Sequence, residues 1–219
     1  MINLDYKNIL FDLDGTLTDP KEGITNSVAH ALNYFGIHVA DRNDLCKFIG
    51  PPLTDSFAKY YGFDAKKSLK AIEVYREYFS VKGIFENRLY DGVITMLEKL
   101  SRMNRQLFIA TSKPEKFAVQ IAKHFDFYRF FKAVRGIPLD REGMTKGEVI
   151  AGVIREFSLD RAQTVMVGDR SYDIMGAAEN GIDSIGVLYG YGDRDELEGA
   201  NAGYIADSIN QLTNYLEVK

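Results

Sequence analysis

Two aspartates, Asp12 and Asp14, come directly after the apolar run Asn8-Ile9-Leu10-Phe11, and Gly15 follows them. A short apolar run ending in acids and a glycine predicts a buried strand that delivers carboxylates to the end of a sheet. In open α/β sheets that end is where ligands bind. Desolvating two carboxylates is costly unless a cation or a proton compensates them. Three further places put polar groups at a strand end or a helix start. Thr111, Ser112 and Lys113 follow Leu107–Ala110, Lys146 falls in the first turn of a helix capped by Thr145, and Asp169 and Asp173 follow a run ending at Gly168. Each alone has an ordinary explanation: Thr111 can end a strand, Lys146 can be a solvated lysine, and Asp173 can complement a helix dipole.

The elements that must position these groups alternate. Runs with strand character occupy 8–12, 106–111, 131–135, 164–168, 183–188 and 203–206. Helical patterns lie between most of them, which favours βαβ units and a mainly parallel sheet. The clearest helix begins near residue 145, where Thr145 and Glu148 have capping-box spacing. Val149, Ile150, Val153, Ile154 and Phe157 then recur at the helical period. Residues 18–87 carry no convincing strand. Ile24, Val28, Ala31, Leu32 and Phe35 form one helical stripe there, and Leu69, Ile72, Tyr75, Tyr78 and Phe79 form another. The expected fold class is α/β: a Rossmann-like, mainly parallel sheet with helices on both faces, built from 1–17 and 88–219. An α-helical cap domain is inserted over 18–87.

Composition bounds the partners. The chain has 219 residues, 46% hydrophobic and 26% charged, which is ordinary for a soluble globular protein. A formal charge of −4 and the lack of any basic block argue against a nucleic-acid binder. Cys46 is the single cysteine, which rules out an intrachain disulfide and fits a reducing compartment. The first residues lack a basic segment leading into an apolar one, and no later run is long enough to span a bilayer. The expectation is a cytoplasmic protein without membrane contact.

In their order along the chain, the four polar sites match the four motifs of the haloacid dehalogenase superfamily. The sequence resembles its phosphatase members along nearly the whole chain, and the helical insertion falls where that superfamily places its most common cap. The phrase Phe48-Ile49-Gly50-Pro51-Pro52-Leu53 is similar to the phosphoglycolate phosphatase and 5'-nucleotidase-like branch. The resemblance implies an Mg2+-dependent phosphatase acting on a small phosphorylated metabolite. Nucleoside 5'-monophosphates come first, phosphoglycolate or a sugar phosphate next. It implies Asp12 as nucleophile and metal ligand, forming an aspartyl-phosphate. Asp14 would ligate the metal through its carbonyl and use its carboxyl as acid, then base. Asp169 would hold the metal, with Asp173 beside it. Thr111 would bind phosphoryl oxygens, and Lys146 would neutralise charge shared by Asp12 and the phosphate. Ser112, Lys113, Gly50 and Pro51 would contact the substrate or its phosphate. A cis peptide before Pro114 is frequent in such relatives.

The chain also departs from that pattern. Ser112 stands where many relatives carry asparagine, and Asp19-Pro20 stands where Asp-Ser is frequent. Pro20 suits the first turn of a helix capped by Asp19. Gly186, Gly190 and Gly192 lack dinucleotide-loop spacing and read as an ordinary turn. His30, His38 and His124 show no metal-ligand pairing. Lys47 and Arg170 are candidates for a substrate anion, and Tyr189 and Tyr191 for stacking on a base. A calcium loop fails because position 23 is glycine. Among rival functions, a phosphosugar mutase would use the same Asp12 and Asp14. A signalling receiver or a non-hydrolytic phosphate-binding protein represents another class. A dehalogenase is disfavoured by Asp14, and a phosphonatase lacks a distinguishable cap lysine. The sequence implies no oligomeric state.

Overall fold

The computed structural model describes residues 5–139, 141 and 143–217. The chain divides into two compact units, Met1–Thr18 with Leu89–Lys219, and Asp19–Arg88. In chain order the strands are β1 (Asn8–Phe11), β2 (Thr18–Asp19), β3 (Arg88–Leu89), β4 (Gln106–Pro114), β5 (Phe131–Ile137), β6 (Thr164–Gly168), β7 (Asp183–Val187) and β8 (Tyr204–Ala206). The helices are α1 (Lys21–Tyr34), α2 (Leu53–Tyr61), α3 (Ala65–Tyr78), α4 (Val93–Arg102), α5 (Glu115–His124), α6 (Lys146–Phe157), α7 (Ser171–Glu179), α8 (Arg194–Gly199) and α9 (Ile209–Glu217).

The first unit is a six-stranded parallel sheet in the order β5-β4-β1-β6-β7-β8. β1 is central, and its four residues are all buried, which explains why it reads as an unbroken apolar run. Leu10 lies in register with Phe108 on one side and Met166 on the other, and Phe108 with Ala133. This row packs on Val149, Ile150, Val153 and Ile154 of α6 in one buried cluster. Truncating a side chain at its centre, such as Leu10→Ala, is worth about 2–5 kcal/mol. α6 is anchored at its start by the expected capping box: Glu148 N donates to Thr145 Oγ1 at 3.2 Å, and Thr145 N donates to Glu148 at 2.7 Å.

The second unit holds α1, α2, α3, a 3-10 turn over Arg42–Phe48 and a π-helical turn over Phe79–Gly83. Its core is aromatic, with Phe48 on Phe57 at 5.0 Å and Phe35 on Phe63 at 5.0 Å. Gly23 and Gly83 let α1 and the π turn touch, since a Cβ on Gly23 would lie 1.9 Å from the Gly83 carbonyl oxygen. Two expectations need correction here, at Leu69 and at Pro20. Leu69 is exposed, and Ala71, Ile72, Val74 and Tyr75 carry the buried face of α3 instead. α1 begins at Lys21, with Pro20 at its N-cap position. Asp19 caps through its side chain all the same, because Oδ1 accepts from Lys21 N at 3.1 Å. No peptide bond is cis among the described residues, so Pro114 leads into α5 through a trans bond.

Candidate active site

The sheet brings the polar strand ends together because β4, β1 and β6 are adjacent and parallel. Asp12 N donates to the Val167 carbonyl at 2.8 Å, which fixes Asp12 beside the end of β6. The chain then turns back on itself: the Leu13 carbonyl accepts from Leu17 N at 2.9 Å and Thr18 N at 3.0 Å. Gly15 lies in the left-handed region at φ 84°, and a Cβ there would sit 2.1 Å from Asp169 Oδ2. On β4 the register with β5 shifts between Ala110 and Pro114, so Thr111, Ser112 and Lys113 leave the regular ladder. Such irregularities re-aim side chains at strand ends.

Lys146 reaches this point from the first turn of α6. Helices α6 and α7 approach closely at Gly147 and Gly176; a Cβ on Gly176 would lie 3.0 Å from Gly147 N and 3.1 Å from Lys146 Cγ. Asn180 ties the two helices by donating to the carbonyls of Gly147 and Gly176 at 2.9 and 2.8 Å. The Lys146 ammonium then lies 2.7 Å from Asp12 Oδ1, 2.8 Å from Asp173 Oδ1 and 3.0 Å from the Ala110 carbonyl. Asp173 also caps its own helix, because Arg170 N donates to its Oδ2 at 3.1 Å. Asp12, Asp169 and Asp173 are all buried, and each offers a carboxylate oxygen within 4.8 Å of the others. No histidine joins such a cluster among the described residues.

Asp12 and Asp173 share the Lys146 ammonium, and the Asp169 carboxylate lies beside them. Burial pushes Asp169 well above the ordinary carboxylate range, and the charges of Asp173 and Asp12 push it the same way. Burial raises Asp173 to about 6 against the opposing pull of Lys146. For Lys146 burial favours the neutral amine, yet Asp12 and Asp173 hold its pKa above the usual lysine value. Two unit charges about 4 Å apart repel by about 4 kcal/mol at an effective dielectric near 20. One ammonium therefore leaves negative charge uncompensated, and a hard dication with oxygen ligands fits the donor set. Gly168 lets Asp173 pack against the end of β6, since a Cβ there would strike Asp173 Cγ at 2.1 Å.

Asp14 stands apart from the three. Its Oδ2 accepts from Lys113 Nζ at 2.5 Å, and its Oδ1 is buried without a hydrogen-bond partner. Burial raises its pKa and the Lys113 charge partly offsets that rise. Lys113 is thus engaged by Asp14, and its backbone N–H donates to Thr111 Oγ1 at 3.2 Å. Thr111 is buried and Ser112 half-buried. Gly50 and Pro51 belong to the second unit, in the turn before α2, with Gly50 at φ 101°. Lys47 rests its ammonium over the Tyr60 ring at 4.5 Å. Arg170 donates through Nε to Glu196 at 3.0 Å. Tyr189 is held by a hydrogen bond to the Thr16 carbonyl at 3.1 Å and by edge contact with Tyr90.

Sequence reasoning missed the glycines after β7. Gly186 packs on Leu197, whereas Gly190 and Gly192 lie against Asp169, where a Cβ would fall within 2.4 Å of Asp169 Cβ and 2.0 Å of its carbonyl oxygen. The available signal was two glycines, Gly190 and Gly192, alternating with Tyr189 and Tyr191 shortly after a buried strand, a density that an exposed turn does not need.

The haloacid dehalogenase-like hydrolase family matches this chain over residues 9–187. The chain belongs to that family. It is similar to a 5'-nucleotidase from Pseudomonas aeruginosa, 46% identical over 98% of this chain and 97% of that one. A tyrosine-protein kinase, PtkA of Mycobacterium tuberculosis, is 36% identical over 96% of this chain and 72% of its own length. Among solved structures, a predicted phosphatase from Clostridium acetobutylicum superposes with a TM-score of 0.93 at 46% identity, covering 95% of this chain and 97% of the other. The protein is accordingly a hydrolase of this superfamily with a Rossmann-like α/β core. No helix among the described residues is long and apolar enough to cross a membrane.

Proposed function

We propose that this hydrolase is an Mg2+-dependent phosphomonoesterase of a small cytoplasmic metabolite, with nucleoside 5'-monophosphates the favoured substrates. One observation carries the reading: Asp12, Lys146 and Asp173 form a buried chain of ion pairs beside Asp169. Such a cluster suits phosphoryl transfer, in which anions meet and positive charge must be supplied. The 46% identity to a protein named 5'-nucleotidase supports the substrate class.

Asp12, Asp169 and Asp173, with the Asp14 carbonyl, would hold the dication. When bound, it supplies the positive charge that lets a phosphate dianion approach a carboxylate. An Asp12 oxygen attacks phosphorus, and the bond from phosphorus to the ester oxygen breaks. Asp14, whose pKa is raised by burial, gives its proton to the departing oxygen. Asp14 then removes a proton from water, the water oxygen bonds to phosphorus, and the bond to Asp12 breaks to release inorganic phosphate. Lys146 holds Asp12 in place and balances the added charge. Thr111 offers its hydroxyl to the phosphoryl oxygens, with Ser112 and Lys113 beside it. The helical insertion acts as the cap, and Gly50 and Pro51 in its loop contribute to substrate choice.

The test is phosphate release from a panel of nucleoside monophosphates, phosphoglycolate and sugar phosphates with Mg2+ present. Release that stops with Asp12→Asn or with EDTA supports the reading. Release that survives either change defeats it. The similarity to a kinase and the possibility of a mutase define the other outcomes to score: phosphate retained on protein tyrosine, or an isomerised sugar phosphate, in place of free phosphate.

A further inference from the structure

Asp169 is fully buried, and its carboxylate is gripped from a segment distant in sequence. Tyr191 N donates to its Oδ2 at 2.8 Å, and Thr16 Oγ1 lies 3.5 Å from its Oδ1. A Cβ on Gly190 would fall 2.4 Å from both Asp169 Cβ and the Gly15 carbonyl oxygen, and 2.6 Å from Asp169 Oδ2. A Cβ on Gly192 would fall 2.0 Å from the Asp169 carbonyl oxygen. Neither glycine has a left-handed φ. Space, and not backbone conformation, is what requires glycine at both positions. Tyr189 moors the same segment: its hydroxyl donates to the Thr16 carbonyl at 3.1 Å, and its ring meets Tyr90 edge-on with centroids 5.2 Å apart.

We infer that residues 189–192 form a positioning loop for the metal site, holding the Asp169 carboxylate toward Asp12 and Asp173 before any cation arrives. The inference rests on the proposed role of Asp169 as a metal ligand. Its physical basis is repulsion. A free carboxylate beside two others would rotate away from them, and the cation would then have to turn it back at a cost in affinity. The Tyr191 amide fixes one oxygen, and the bare Gly190 and Gly192 backbones close off the space into which the group would swing. Partners that orient metal ligands in this way are worth roughly 10–100-fold in metal affinity.

The test is calorimetric titration of the intact protein with Mg2+. Gly190→Ala and Gly192→Ala are expected to weaken Mg2+ binding at least about tenfold. At saturating Mg2+ the KM for p-nitrophenyl phosphate stays within about twofold of the parent value, because the loop acts on the ligand set. Gly152→Ala, on α6 with open space around it, serves as the control and leaves Mg2+ binding unchanged. Tyr189→Phe keeps the ring and loses only the tether to Thr16, and it weakens Mg2+ binding by about threefold, as one net hydrogen bond would. Mg2+ affinity within twofold of the parent in Gly190→Ala and Tyr189→Phe overturns the inference. If the alanine variants fail to fold, Tyr189→Phe decides alone. A parent protein that binds no Mg2+ removes the proposed function and the inference together, whereas parental binding with unaffected variants removes the inference only.

Discussion

Lys146 Nζ stands 2.7 Å from Asp12 Oδ1, with both side chains buried, one from the end of the central strand and the other from the first turn of α6. Removing one partner of a buried pair leaves an uncompensated charge and costs about 3–5 kcal/mol. Lys146→Met keeps most of the side-chain volume and deletes the charge. It should lower metal-free stability by about that amount in urea unfolding. It should also lower kcat by about 10²–10³-fold, as loss of one preorganised electrostatic group does. A variant with parental kcat would separate Lys146 from the chemistry.

Asp169 has the opposite balance. Among the described residues no cationic side chain forms an ion pair with it, and burial with two neighbouring carboxylates destabilises its ionised form. Asp169→Asn keeps the shape and removes the charge, so the metal-free protein should melt about 2–4 °C higher, the shift that about 1 kcal/mol gives in a chain of this size. The same variant should lose the rise in Tm that Mg2+ gives the parent by mass action. Thermal melts in EDTA and in Mg2+ measure both effects. A lower metal-free Tm would show that Asp169 stabilises the fold, contrary to the repulsion argued here.

The same electrostatics set a pH dependence. A carboxylate whose folded pKa is raised takes up a proton on folding, so metal-free stability falls as pH rises between its unfolded and folded values. For Asp173 that window runs from 3.8 to about 6, and Asp169 and Asp14 act in the same direction. On the proposed function, Mg2+ would take the place of those protons at the cluster. The Mg2+-induced rise in Tm should therefore be larger at pH about 7.5 than at pH about 5. Equal shifts at both pH values would mean that the cluster carries no proton for the metal to displace.

Much of this arrangement is legible in the chain because each polar group directly follows an apolar run. The ends of β1, β4 and β6 and the start of α6 needed only periodicity and a capping box. Two features were not legible. The grip of residues 189–192 on Asp169 depends on where the chain after β7 returns in space, and glycine alone does not distinguish a turn from a close approach. The Lys113 ammonium reads from sequence as available to an anion, yet the irregular end of β4 turns it onto Asp14. Periodicity also failed at Leu69, where α3 buries the small residues Ser68 and Ala71 and leaves the leucine in solvent.

Arg170, a sequence candidate for the substrate anion, forms an ion pair with Glu196. That carboxylate also accepts from Ser171 N and Ser171 Oγ, both at 2.8 Å. Burial raises the pKa of Glu196, but the Arg170 and Ser171 hydrogen bonds outweigh it and hold the value below the ordinary glutamate range. A carboxylate with a depressed folded pKa contributes stability that is present above its unfolded value and lost as pH falls through the folded one. Glu196→Gln should thus cost about 1–2 kcal/mol near neutral pH, typical of hydrogen bonds to a charged group. The difference from the parent should vanish below the folded pKa, where both side chains are neutral. Because Glu196 pins the first residue of α7, and α7 carries Asp173, the variant should also weaken Mg2+ binding by a few fold. Urea unfolding across the acid limb and Mg2+ titration at neutral pH check the two halves. A stability loss that persists undiminished in acid would assign the effect of Glu196 to packing instead of charge.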